Sequence, residues 1–268
     1  MQLPEAQLAK RELKRPKLVA VRKAAAPAGP KAATRSLSPL NQFELAYEAI
    51  EARLVNCELR PGRYLALQEL QQLVNLGRTP VHQAVSRLAA DTLIIVHPRR
   101  GLQVAPVDLA RDRVLLRLRR DVERFVIRLA AEQSSASHRN QMLHIKRHLR
   151  ENREQITIES FNVIDRRLDR LFLDAASEPF VENTLRPLHT IFRRIGWLYH
   201  TQTSAESNLL RTVDAHLALL DAVANRHVDA AIAASDELIS FVDSMFDVLE
   251  REIDPTHLDC SLGEFEAP

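Results

Sequence analysis

A mainly α-helical chain is predicted, with a small three-helix unit closed by a β-hairpin at the front and an antiparallel helical bundle behind it. Three observations predict this. Glycine is scarce, with six in 268 residues, and aromatics make up 5%, which disfavours a large β-sandwich. Leu, Ala, Arg and Glu, all good helix formers, dominate the sequence. Apolar residues recur at helical spacing over most of the chain, and alternating β-rich runs occur in one place only, near residue 100.

The charge is unevenly spread. The net charge is +2, but residues 1–36 hold nine basic and two acidic residues, leaving 28 basic and 33 acidic for the remainder. Residues 1–38, rich in Ala and Pro, therefore read as a disordered basic arm. Three roles are open to it: a solvated tail, a non-specific phosphate-binding arm, or a transit peptide. Pro4, Pro16, Pro27 and Pro30 would interrupt the helix of a transit peptide, so that role ranks last.

After Pro39, Phe43, Ala46, Tyr47, Ile50 and Leu54 line one face of a first helix, which "ELRPGRYL" breaks with a Pro61–Gly62 turn. "ALQELQQLV" reads as a second short helix. "NLG" follows as a tight turn in which Asn75 tolerates a left-handed backbone. The stretch "GRTPVHQAVSRL" opens a third helix, with Gly77 as N-cap and Pro80 in the first turn, where its missing N–H is harmless. Stepping 100° per residue puts Val81, Ala84, Val85 and Leu88 on the inner face. Thr79, His82, Gln83, Ser86 and Arg87 face outward, with Arg78 at the exposed start. A donor-rich helix face with a free N-terminal end suits base edges and phosphates in a major groove. Runs at 93–97 and 102–105 then flank "HPRRG", a hairpin with Arg99, Arg100 and Gly101 at its tip. Three helices and a basic hairpin over 39–106 make a winged helix-turn-helix, and its expected partner is double-stranded DNA.

Residues 107–253 read as helices near 109–133, 136–154, 158–176, 179–202, 206–225 and 228–252, with Pro187 able to bend the fourth. Such a bundle is long enough to enclose a cavity. Leu115, Leu118, Val122, Phe125 and Val126 form the apolar face expected of its first helix. Residues 254–268 are expected to be a flexible tail. Cys57 and Cys260 are too far apart in sequence for CxxC chemistry, no apolar run reaches membrane-spanning length, and a reduced cytoplasmic setting is expected.

"LRPGRYL…ELQQLVNLGRTPVHQAVSRLAADTLIIVHPRRGLQV" resembles the DNA-binding half of GntR-family bacterial repressors. "LRRDVERFVIRLAAE", "IDRRLDRLFLDAASEPF" and "DAHLALLDAVANRHVDAAIAA" resemble the effector-binding half of the FadR-like branch, the FCD domain. The resemblance covers about 40–250. It implies a homodimeric repressor on a palindromic operator, released or recruited when a small metabolite enters the bundle, and not an enzyme. It also implies DNA contacts from Arg78, Thr79 and the wing tip. Here Gly77 stands for the family's usual serine, and His82-Gln83 for Arg-Glu, so the operator is expected to depart from the common pattern.

Many relatives hold a divalent metal through an Asp-x-x-x-His pair and two further histidines. Matching positions here are Asp165, Asp169 in place of the first His, His216, and Leu238 in place of the last. Helical phase puts all four around one interior space. Asp165, Asp169 and His216 could ligate zinc or nickel, or His216 and Asp165 could form a hydrogen-bonded pair beneath a metal-free pocket. Arg119 matches an arginine lining the family's cavity, and either binds an organic-acid effector or pairs with Glu123 at i+4. His144, His148, His189 and His200 form no sequence cluster and read as surface or packing residues. Two alternatives keep the fold and change the role: a metal-sensing regulator, and a metal-dependent enzyme centred on Asp165, Asp169 and His216.

Overall fold

The computed structural model describes residues 39–203 and 209–265. The basic arm, expected over 1–38, lies outside the described residues, as does the stretch 204–208. In chain order the front unit holds α1 (Pro39–Val55), β1 (Tyr64–Leu65), α2 (Leu67–Val74), α3 (Arg78–Ala90), β2 (Ile94–His97) and β3 (Gly101–Val104). Ile50, Leu54, Leu70, Val81, Leu88, Leu93 and Val104 form its core, each at most 2% exposed.

Turn chemistry behaves as the residues dictate. Asn75 closes α2 in the left-handed region at φ 52°, and Gly77 precedes α3 in extended conformation. β2 pairs antiparallel with β3, His97 opposite Gly101, so that Pro98, Arg99 and Arg100 form the wing tip. Gly101 has φ 93°, and a Cβ there would stand 3.0 Å from the Leu65 carbonyl oxygen. The sequence reading missed β1, a two-residue strand that pairs with β3 to give the sheet order β1-β3-β2. It is too short to show a period of its own.

Behind it stand α4 (Leu109–Gln133), α5 (Ala136–Glu151), α6 (Ile158–Ala176), α7 (Pro179–Gln202), α8 (Leu209–Ala224) and α9 (Val228–Glu252). Caps set the starts: Asp108 accepts the Arg111 N–H, while Ser135 and Thr157 form capping boxes with His138 and Ser160. α7 continues through Pro187. The bundle core includes Val126, Ile127, Leu149, Leu168, Leu185, Ile195, Leu220 and Phe246.

Two expectations need correcting. Leu118 and Phe125 are 47% and 48% exposed. The inward face of α4 is instead Leu116, Arg119, Glu123, Val126 and Ile127, because the two buried charges pair with each other. Residues 254–265, expected as a flexible tail, form α10 (Pro255–Leu258) and a 3-10 turn (Cys260–Phe265). This segment docks on the front unit and the linker: Cys260 N–H donates to the Pro61 carbonyl (2.9 Å), and Val107 N–H to the Leu258 carbonyl (2.8 Å). Among the described residues no helix is long and apolar enough to cross a membrane.

Candidate nucleic-acid interface and effector pocket

On α3, Pro80, Val81, Ala84, Val85 and Leu88 are buried, while Arg78, Thr79, His82, Gln83 and Ser86 are exposed. The Ser86 hydroxyl donates back to the His82 carbonyl (2.9 Å), leaving its oxygen lone pairs outward. Arg87 sits differently from its neighbours. Its Nη2 donates to Asn183 Oδ1 on α7 (2.8 Å) and its Nε lies 3.4 Å from Asp91, which fastens α3 to the bundle. Arg99, Arg100 and Gly101 are exposed at the wing tip, Arg99 with φ 65°. The outward face of α3 and the basic wing tip are thus both solvent-exposed.

The bundle holds a partly open cavity of about 50 Å³ whose lining includes Arg119 (α4), Asp165 (α6), Arg193 (α7), His216 (α8) and Leu238 (α9). Its roof is apolar, with Phe161, Phe192, Phe241, Val242 and Met245. Its floor is ionic. His216 Nε2 meets Asp165 Oδ1 at 3.0 Å, and its Nδ1 meets the Thr212 carbonyl at 2.7 Å. Both ring nitrogens thus face oxygens that only accept, so the imidazolium is the form that satisfies them. Burial works against that charge, but the bond to Asp165 prevails and raises the His216 pKa.

Arg193 fills the middle of the floor, its side chain 4% exposed. Its Nε donates to Asp165 Oδ2 (2.9 Å) and its Nη2 to Asp169. Burial raises the Asp169 pKa and the neighbouring Asp165 charge adds to this. For Asp165 itself, burial is outweighed by His216 and Arg193, and its pKa is lowered. Arg119 Nε pairs with Glu123 Oε2 (3.2 Å) and its guanidinium carbon lies 5.4 Å from the Phe192 ring centre. His189 Nε2 meets the same Glu123 oxygen at 3.0 Å, and its Nδ1 lies 3.5 Å from Asp169. Burial alone would raise the Glu123 pKa, but with His189 and Arg119 beside it the carboxyl drops to about 2. His200 also lines the cavity, and burial lowers it to about 4, leaving a neutral ring facing Thr212 Oγ1 at 3.2 Å.

The sequence-named residues Arg119, Asp165, His216 and Leu238 therefore share one cavity, with Asp169 just beneath it. Sequence reasoning missed Arg193 and took His189 for a packing residue, whereas it joins Glu123 to Asp169. The signal was available: His189, Arg193 and Gly196 follow at i, i+4 and i+7 on α7, but no pattern marks a cationic stripe as inward.

The donor set does not fit a transition metal. The His216 nitrogens are committed, a guanidinium bridges the two aspartates, and no further histidine stands at Leu238. Among the described residues no group of three or more His, Cys, Asp or Glu is arranged to hold a metal ion.

A winged helix-turn-helix joined to an all-α bundle is the architecture of a DNA-binding protein. Comparison with known proteins specifies the family. Residues 43–104 match the bacterial regulatory proteins of the gntR family and residues 114–241 match the FCD domain. The chain belongs to the GntR family, in its FCD branch, and is a DNA-binding transcriptional regulator. It is 27% identical to the HTH-type transcriptional repressor RspR of Escherichia coli K12 over 195 residues, 72% of this chain and 82% of that one. Among solved structures, E. coli McbR/YncC superposes with a TM-score of 0.65 at 18% identity, covering 77% of this chain and 97% of that one. A putative GntR transcriptional regulator from Rhodococcus sp. RHA1 superposes with a TM-score of 0.58 at 14% identity, covering 77% and 97% respectively.

Proposed function

We propose that the protein is a cytoplasmic homodimeric repressor that reads a palindromic operator and responds to a small organic acid in the bundle. The observation that carries the DNA half is the exposure of Arg78, Thr79, His82, Gln83 and Ser86 on one side of a helix whose other side is buried, with Arg99, Arg100 and Gly101 alongside. Arg78 reads a guanine or grips a phosphate, and His82 and Gln83 present mixed donors and acceptors to base edges. Arg87 acts from behind, holding α3 to α7. Two such heads fit successive major grooves when two chains associate. Val114, Leu118 and Phe125 supply an exposed apolar strip on α4 for that association, at 61%, 47% and 48% exposure.

The organic-acid assignment rests on the cavity lining, where Arg119, Arg193 and the imidazolium of His216 outnumber Asp165. An incoming carboxylate exchanges with the internal ones on these guanidiniums, a bidentate match that arginine favours. At about 50 Å³ the cavity holds one or two waters, so a metabolite enters only as side chains of the apolar roof give way.

Two experiments test this. Native mass spectrometry of protein purified without a metal-affinity tag reads dimer mass and any retained acid together; a monomer with an empty cavity would refute both assignments. Selection of binding sites from a random duplex library by the full chain should return an inverted repeat. A single unrepeated motif would refute the palindrome.

A further inference from the structure

Glu51 belongs to α1, in the DNA-reading unit, yet its carboxylate is held by the bundle. Thr190 Oγ1 donates to Oε1 at 2.5 Å, Arg193 Nη1 approaches the same oxygen at 3.4 Å, and Arg166 Nη2 lies 2.9 Å from Oε2. Glu51 is 3% exposed, so these partners substitute for water. Arg193 also donates to Asp165 and Asp169 beneath the cavity. One rigid, planar group therefore faces the effector floor with Nε and Nη2 and the DNA-reading unit with Nη1. Next to it runs a cleft of about 370 Å³ between α1, α6 and α7, whose walls include Glu48, Glu51, Arg166, Asp169 and Arg193. On this side the seam is hollow and polar, with room for α1 to change position.

We propose that Arg193 is a coupling residue, through which the occupancy of Asp165 and Asp169 sets how firmly Glu51, and with it α1, is held. The proposal rests on the reading that the bundle cavity receives an effector. A guanidinium cannot swing toward a new anion on one side and keep its geometry on the other, because its five N–H donors are fixed in one plane. When a ligand carboxylate draws Arg193 into the cavity, Glu51 is left buried with fewer donors. A buried carboxylate short of partners is strongly destabilised, so α1 shifts until the charge is satisfied again. The link is reciprocal: whatever repositions Glu51 also changes the floor.

Hydrogen–deuterium exchange on the full chain, without DNA or ligand, tests this. Asp169→Asn removes one charge from the floor and leaves α1 untouched. Floor anions compete with Glu51 for Arg193, so removing one lets Glu51 hold the guanidinium more firmly. The expected result is exchange slowed by about fivefold or more across residues 47–55, with α5 unchanged. In a Glu51→Gln background the same substitution should add nothing to α1. Thr190→Val, which takes a donor from Glu51 without touching the cavity, should in turn speed exchange in α6 around Asp165. The proposal is overturned if Asp169→Asn leaves α1 unchanged, speeds it, or slows α1 and α5 alike. It is equally overturned if the α1 effect is the same size with and without Glu51, or if Thr190→Val leaves α6 unchanged. Failure of the effector reading shows separately, as a cavity that retains no acid in native mass spectrometry.

Discussion

Asp112 allows a quantitative test of how the two halves are joined. It lies in the first turn of α4, 1% exposed, with Arg111 at 3.5 Å from Oδ1 and Oδ2 without a hydrogen-bond partner. Burial lifts its carboxyl from 3.8 to about 6, against the pull of Arg194 and Arg111. The folded chain therefore keeps a proton that the unfolded chain releases between those two values. Stability from this group is greatest below about pH 4, falls as pH rises toward 6, and is flat above. Taken through linkage, the full cost above pH 6 is about 3 kcal/mol, and about half of that remains at pH 5. Asp112→Asn removes the titration while preserving shape. The variant should be more stable than the parent by about 3 kcal/mol at pH 8 and by about half as much at pH 5, in urea melts followed by far-ultraviolet circular dichroism. An equal difference at both pH values, or a less stable variant at pH 8, would show that the buried carboxylate is better served by Arg194 and Arg111 than this reasoning holds.

Four further outcomes are expected. Arg78→Ala should weaken binding to a selected operator by about 1–3 kcal/mol without lowering the melting temperature, whereas Arg87→Ala should lower the melting temperature, because it loses Asn183 and Asp91; anisotropy and calorimetry separate the two. Equimolar Ni²⁺ or Zn²⁺ should move the melting temperature by less than about 1 °C, and a rise of several degrees would mean that Asp165, Asp169 and His216 release Arg193 to take the ion. Gly196 lines the cavity with open space where a Cβ would stand, so Gly196→Ala should keep or raise stability, by up to about 1 kcal/mol, and weaken any retained ligand; a folded variant that binds unchanged refutes the site. Gly62 has φ 82°, and a Cβ there would lie 2.0 Å from Asp259 Oδ1, so Gly62→Ala should open residues 254–265 to limited proteolysis while the bundle stays resistant.

Much of the architecture was legible in the sequence because each element advertises itself locally. The first, third, fourth and sixth bundle helices have the bounds expected from helical patterning and the short polar breaks between runs. α3 was legible for the same reason, with Gly77 and Asn75 fixing the turn before it. The ionic floor was only half legible. His216 shows in sequence as one polar residue inside an apolar arc, but Arg193 stands in a run of two arginines on a helix rich in basic residues. Which of Arg193 and Arg194 faces inward depends on partners from α1 and α6, more than a hundred and more than twenty residues away. Pairing across such distances leaves no local trace. β1 was missed for a related reason, as it exists only through hydrogen bonds to β3. By contrast α10 did carry a local signal, the Asp254 cap with Pro255 in the first turn, and only its docking on Pro61 and Val107 left no local trace.

Helix α7 touches both halves along its length. Asn183 meets α3, Arg186 stacks at 5.0 Å over the Tyr47 ring, Thr190 meets Glu51, and Arg194 donates to the Ala105 carbonyl at 3.1 Å, while His189 and Arg193 face the floor. A genetic screen would see this as periodicity. Selection for chains that ignore their inducer, or act as though it were always present, should return substitutions spaced three or four apart from 183 to 194. Lesions at 183, 186, 190 and 194 would touch neither operator nor metabolite. The phenotype map of one helix would thus read out the wiring of the whole regulator.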